Sequence, residues 1–264
     1  MRVFVVCLAL LTSLPAGAYE LYKSPDNPDA SLHWRTDTVM LVFDDLAPEE
    51  LVSEVAAEEC EDSFAVWSQL TCGEVFSPFT FNFEGFIHGR QVGYNEDPSA
   101  TNENLVIWIQ DGAKWHHGPG VLALTSLTYD TNTGQIVDGD LEMNDAEFFF
   151  SLSANSSQVD VKNTIVHEAG HFLGLDHSFI PQFTMFAKAP FGETTKRDLH
   201  PDDIAGFCAL YGPEGYSTLE QWGQSPPPSS CSVGLNKSGP WWPIGGVLLM
   251  LLVFRCVRGR AELH

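Results

Sequence analysis

Residues 167–178 read HEAGHFLGLDHS. Three histidines, one glutamate and two glycines fall in twelve positions. Two readings compete: a metal site with a base beside it, or a helix end that carries solvated histidines. His167 and His171 are four apart, so on a helix they project from one face about one turn from each other. That spacing lets two imidazoles meet one ion. Glu168 is displaced around the helix and leans over the metal without ligating it. Gly174, three residues past His171, can take the left-handed conformation that ends a helix and turns the chain. The turn brings His177 back as a third ligand. Three nitrogens and one open position make a catalytic zinc site, whereas a structural site is closed by four protein ligands. The pattern HExxHxxGxxH fixes five positions, which favours the metal.

The helix that carries this site is expected over Asp160–Leu175, with Asp160 as N-cap. Val161, Ile165, Phe172 and Leu175 are its expected buried contacts. Upstream, Trp34–Asp45 alternates and is rich in β-branched residues, so it reads as a strand. Pro48–Leu70 starts with proline and acids and reads as a long amphipathic helix, with Val52, Ala56, Cys60, Phe64 and Trp67 on one face. Phe79–Gly85 and Asn104–Asp111 read as strands. Val121–Tyr129 and Gln135–Met143 flank a DTNTG turn and read as a hairpin-like pair. His200–Gly212 is a last helix, ended by Gly212. There are no internal repeats. This order implies a single α+β domain with a mixed sheet, an active-site helix and a C-terminal helix.

Both ends depart from that domain. Residues 1–18 follow the signal-peptide order: Arg2, an apolar run Val3–Leu14, and the small residues Ala16-Gly17-Ala18. Export is therefore expected, with residues 19–220 as the catalytic body and Cys7 lost with the signal. Residues 221–240 have the Pro/Ser/Gly composition of a linker and contain Cys231. Residues 241–264 hold the apolar run Trp241–Phe254, followed by Arg255, Arg258 and Arg260. Fourteen apolar residues as a helix reach about 21 Å, short of a hydrocarbon core of about 30 Å. The order of cysteine, apolar run and arginines resembles the C-terminal sorting tags of Gram-negative surface proteins. A short transmembrane or sorting segment is the expectation, with envelope sorting machinery as the implied partner.

The 264 residues carry 35 acidic and 13 basic side chains, a net charge of −22. Nucleic-acid binding needs a basic surface to meet phosphates, so this partner class is excluded. A soluble exported body, expected as a monomer, fits the balance. Cys60, Cys72 and Cys208 remain in the body, and export favours a disulfide. If Glu49–Leu70 is one helix, Cys60 and Cys72 are about 18 Å apart along it, too far to bridge. Either the helix breaks between them or one of the two pairs with Cys208.

HEAGHFLGLDH resembles the zinc-binding motif of metzincin metalloproteases. Ser178, directly after the third histidine, marks the matrixin branch. Met185 in FTMFAKAP resembles the Met-turn beneath the zinc. VLALTSLTYDTNTGQIVDGDLEMN resembles the edge strand and following strand of bacterial matrixins, and RDLHPDDIAGFCALYG resembles their final helix. The similarity spans roughly Trp34–Gly212. Ala187 stands where astacins and serralysins carry a tyrosine, which argues against those branches. No PRCGxPD-like cysteine switch is present, so a thiol-latched propeptide is not expected. Vertebrate matrixins also carry a structural zinc and calcium ions, but the segments that hold them are not well reproduced here; the resemblance implies one catalytic zinc with calcium as the further candidate. His116, His117, Asp138, Asp140, Glu142 and Asn144 lie in the corresponding region. Taken singly, these read more readily as solvated loop or strand residues.

The implied activity is zinc-dependent hydrolysis of internal peptide bonds in a protein or peptide. His167, His171 and His177 hold the metal, Glu168 is the general base, and Gly174 and Met185 support the site. The substrate is expected to lie extended against the edge strand Val121–Tyr129. Two alternatives stand beside this. One is a catalytically silent surface adhesion or binding protein on the same fold, which should have lost Glu168 or a ligand. The other is an enzyme acting on another amide, such as a cell-wall peptide crosslink.

Overall fold

In the computed structural model the described residues are 19–213, apart from 49–50, 98 and 154, together with the backbone of 230–231 and 247–255. The expected signal (1–18), most of the linker, and Arg258 and Arg260 lie outside them.

Hydrophobic patterning anticipates the order of the main elements from Thr38 to Tyr211 apart from the short strand Lys188–Pro190, and in the tail expected as a short membrane or sorting segment Val247–Arg255 is a strand instead; the elements follow in chain order. They are β1 (Thr38–Asp44), α1 (Ser53–Ala65), β2 (Thr80–Ile87), β3 (Leu105–Trp108), β4 (Val121–Asp130), β5 (Gln135–Met143), α2 (Val161–Phe172), β6 (Lys188–Pro190), α3 (Pro201–Tyr211) and β7 (Val247–Arg255). The main sheet runs β6-β7-β4-β5-β3-β1-β2. β1 is parallel to β2 and to β3, β3 is parallel to β5, and β4 is antiparallel to β5. The mixed sheet with helices packed against it is the expected α+β architecture.

Three expectations change in detail. The strand foreseen over Trp34–Asp45 is two pieces, His33–Trp34 and β1. Trp34 leaves the line of β1 because its indole N–H donates to the Phe172 carbonyl at 2.8 Å. The helix foreseen over Pro48–Leu70 is shorter. Ala56, Cys60, Phe64 and Trp67 are buried as expected, but Val52 is 64% exposed. It is the N-cap of α1, with extended backbone, so the helical period does not apply to it. Finally, Val121–Tyr129 is not an edge. β7 pairs along its outer side, and Ser230–Cys231 pairs with its end at Tyr129 and Asp130.

α2 lies across the sheet with Val161, Ile165 and Phe172 buried; it stops at Phe172, short of the expected Leu175, which is buried in a two-residue strand paired with Leu21. Phe172 stacks on Trp34 at 5.4 Å and meets Phe64 and Phe81 edge-on at 5.8 and 5.9 Å. Such aromatic pairs contribute about 0.5–1.5 kcal/mol each beyond their buried area. Gly139 in β5 makes room for the ring, since a Cβ there would lie 2.8 Å from it.

The choice left open by the cysteines is resolved as Cys72–Cys208, with Cα atoms 5.4 Å apart. Cys60 is a free thiol buried in α1, and burial pushes its pKa upward. The bridge ties α3 to the chain just before β2 across a separation of 136 residues. A loop of that length implies about 5 kcal/mol in the chain-entropy treatment, with measured losses for native bridges of about 2–5 kcal/mol. The double variant Cys72→Ala, Cys208→Ala should lower the urea midpoint and steepen the slope, since the unfolded chain freed of the bridge exposes more surface. An unmoved midpoint would show that the bridge does not constrain the unfolded chain.

Candidate active site

The site begins at α2, and the local sequence explains its exact span. Asp160 caps the start by accepting from the Asn163 N–H at 2.9 Å. Its carboxylate is also gripped by Arg197, through Nε at 2.8 Å and through Nη2. At the other end, the orphan carbonyls of a helix need donors. Phe172 O receives the Trp34 indole N–H at 2.8 Å, and Leu173 O receives the Tyr211 hydroxyl at 2.7 Å. Gly174 follows with φ +100°. A Cβ there would lie 2.2 Å from the Leu32 carbonyl oxygen, so the turn that redirects the chain requires glycine on both conformational and steric grounds.

The turn does what the spacing foretold. His167, His171 and His177 offer nitrogens that all lie within 4.8 Å of one another. His167 and His171 are fully buried. The Nδ1 of His167 lies 2.6 Å from the Thr184 carbonyl, and that of His171 lies 2.8 Å from the Leu175 carbonyl. A carbonyl only accepts, so both Nδ1 atoms carry the proton and both Nε2 atoms present lone pairs. The Nε2 atoms of His171 and His177 are 3.0 Å apart. The Nε2 of His167 is buried with no hydrogen-bond partner. A buried polar atom without a partner is costly and calls for a cause. Three converging imidazole nitrogens, one of them unpartnered, are the donor set of a zinc ion. Burial lowers all three basicities, taking His171 to about 4 and His177 to about 3, the latter with added repulsion from His171. The rings are therefore neutral at pH 7 and their lone pairs are free to ligate.

Glu168 is buried beside them. Its Oε2 accepts from the Thr125 hydroxyl at 2.7 Å. Its Oε1 has no partner. Burial raises its pKa to about 8 even though the Thr125 bond pulls the other way. Such a carboxylate is a stronger base than a solvated one.

Met185 is 2% exposed and packs under the helix. Gly170 permits this approach, because a Cβ there would lie 2.3 Å from the Met185 sulfur. The Met185 carbonyl accepts from Ser178 N–H at 2.8 Å, tying the turn to the residue after His177. The Asp203 carboxylate on α3 receives the backbone N–H groups of Thr184, Met185 and His200 at 3.1, 3.2 and 2.8 Å. One buried acid thus holds the turn whose Thr184 carbonyl orients His167. Such outer partners fix ligand orientation in metal sites.

Sequence reasoning missed Thr125, Gly170 and Asp203. The second glycine of the motif was the available signal for Gly170. Nothing local marks Thr125, which lies 43 residues from Glu168.

The other donor-rich residues are engaged elsewhere. His117 Nε2 meets Glu142 at 2.9 Å, Asp140 accepts from the N–H groups of Gly93 and Leu105 at 2.6 and 3.0 Å, and Asn144 donates to the Val121 carbonyl at 2.8 Å. Burial pushes Asp138 up to about 7. Among the described residues two groups of three or more donors converge, the histidine triad and Asp44, Asp45 and His88. The second is a surface ion pair of His88 with Asp45 at 2.7 Å, joined by Asp44.

The matrixin family pattern matches residues 33–212, and the chain belongs to that family. It is 28% identical to the metalloendoproteinase 5-MMP of Arabidopsis thaliana, over 68% of this chain and 50% of that protein. It is 35% identical to 2-MMP of the same plant, over 53% and 37% of the two chains. It is 26% identical to the macrophage metalloelastase of Oryctolagus cuniculus, over 83% and 41%. The chain thus spans half or less of the length of these relatives.

Proposed function

We propose that the protein is a zinc-dependent endopeptidase that cleaves internal bonds of protein or peptide substrates. The observation that carries this reading is the convergence of His167, His171 and His177 next to the unpartnered Oε1 of Glu168. His167, His171 and His177 would hold zinc, which would supply Lewis acidity to a water and to the scissile carbonyl. Glu168 Oε1 takes the proton from that water and later delivers it to the leaving amine. Thr125 holds the other carboxylate oxygen, so the base keeps one orientation through both transfers. Met185 supports the histidines from below and takes no chemical step. A silent binding protein would have no need of Glu168 or of three ligands, and all four residues are in place.

The same proposal covers location. The segment 1–18 directs export of the body, and the linker and tail, 221–264, retain it at the cell surface. Among the described residues no helix is long and apolar enough to cross a membrane, and Val247–Arg255 is a strand.

The test is metal content and hydrolysis measured together. The purified protein should hold about one zinc per chain, as three nitrogens at one open position require. Freed of its tail, it should cleave members of a peptide library, lose that activity to a chelator, and regain it with zinc. Chelator-resistant cleavage, or a zinc-loaded chain freed of its tail that cleaves nothing, would refute the reading.

A further inference from the structure

The slot beside β4 is already filled. β7 lies between β4 and β6. It runs parallel to β4, with Leu249 beside Val121, Leu251 beside Leu124, Leu252 beside Thr125 and Arg255 beside Thr128. It runs antiparallel to β6, with Leu248 beside Ala189 and Val247 beside Pro190. The other side of β4 belongs to β5. Taking β7 away therefore leaves an open lane whose two walls both present unpaired N–H and C=O groups.

That lane passes over the chemistry. Thr125, level with Leu252 in the ladder, is the residue whose hydroxyl holds Glu168. β6 begins three residues after Met185. An extended peptide reaching Glu168 and the histidines would pair with these same two walls, by strand addition. Val247–Arg255 reads VLLMLLVFR, with a single charge at its end. Such a segment gains from both ladders. It is also tethered. Fifteen residues, 232–246, separate it from Cys231, whose backbone pairs with Tyr129 at the far end of β4. A short tether gives an effective concentration in the mM range, far above that of a free substrate.

Resting on the endopeptidase reading, we propose that Val247–Arg255 is an internal occupant of the peptide-binding lane. It excludes substrate while the tail is attached, and cleavage in the linker releases it. The event that processes the tail would then also switch the enzyme on, so that activity appears only after the chain has reached its destination.

The experiment uses the zinc-loaded full chain with a recognition sequence for a specific serine protease inserted in the linker 232–240. The cut tail is removed by gel filtration in mild detergent. Hydrogen exchange at the amides of 121–128 and hydrolysis of a fluorogenic peptide are read before and after. A second full chain carries Leu249→Pro and Leu252→Pro. Leu249 lies between β4 and β6 and Leu252 lies beside β4, and prolines at these two positions are incompatible with a paired strand. Both treatments should speed exchange in 121–128 and raise hydrolysis at least about tenfold, as loss of a tethered competitor predicts. Unchanged exchange in both would overturn the seating of β7. Faster exchange at an unchanged hydrolysis rate would overturn the exclusion of substrate. If exchange speeds up but neither form cleaves any peptide with zinc bound, the endopeptidase reading fails while the seating of β7 stands.

Discussion

Glu168→Gln should retain a full complement of zinc and lose between about 10² and 10⁴ of the hydrolysis rate, the range that a positioned general base contributes. The structure separates the two functions. The proposed metal donors are three imidazoles whose nitrogens lie within 4.8 Å of one another, and Glu168 is not among them. Its Oε2 is held by Thr125 at 2.7 Å, and the oxygen free for proton transfer is Oε1. Glutamine has the same shape, and its carbonyl oxygen still accepts the Thr125 hydroxyl. It cannot take a proton from water at neutral pH. The loss should therefore fall on kcat, with KM little changed, because the interaction removed belongs to the transition state. Zinc by atomic absorption and steady-state rates on a tail-freed chain are the measurements. A variant that hydrolyses at the parent rate, or one that loses its metal, would remove Glu168 from the role of base.

His177→Ala should have the other large effect, and it should strike metal and activity together. Loss of a residue that merely orients a ligand costs about 10–100-fold in affinity, so loss of a ligand should exceed that. His171 Nε2, now 3.0 Å from His177 Nε2, would be left with its lone pair facing an incomplete site. His116→Ala is the control, being an exposed residue outside both donor clusters. It should leave zinc affinity and turnover unchanged. Competition against a calibrated chelator gives the affinities. Tight zinc binding and full turnover in His177→Ala would dissolve the three-histidine site.

The parts of this molecule that could be read in advance are the ones with local causes. α2 and its cap are written in a few consecutive residues: Asp160 before the helix, an apolar period along it, and Gly174 past its end. β5 has the bounds that its alternation suggested. The triad was legible because helical geometry and one glycine turn suffice to assemble it. What could not be read depends on chain segments that meet only after folding. Thr125 reaches Glu168 because a hairpin packs over α2. The partner of Cys72 was undecided because the bridge spans most of the domain. The split at Trp34 arises from an indole drawn to a helix end 138 residues away. The outer side of β4 was expected to be open, since the alternation of a strand says nothing about which segment lies beside it.

The cap at the end of α2 carries a consequence for the order of synthesis. The carbonyls of Phe172 and Leu173, just ahead of the turn to His177, are held by Trp34 from near the start of the body and by Tyr211 from its last helix. A ribosome makes roughly 5–20 residues each second. The chain therefore emerges with all three histidines several seconds before Tyr211 exists to hold that helix end, and Asp203, which steadies the turn behind His167, also comes late. The nascent chain has the complete zinc motif but not the architecture that fixes it. On the endopeptidase reading proposed above, proteolysis would then begin only once the last helix of the body has been made.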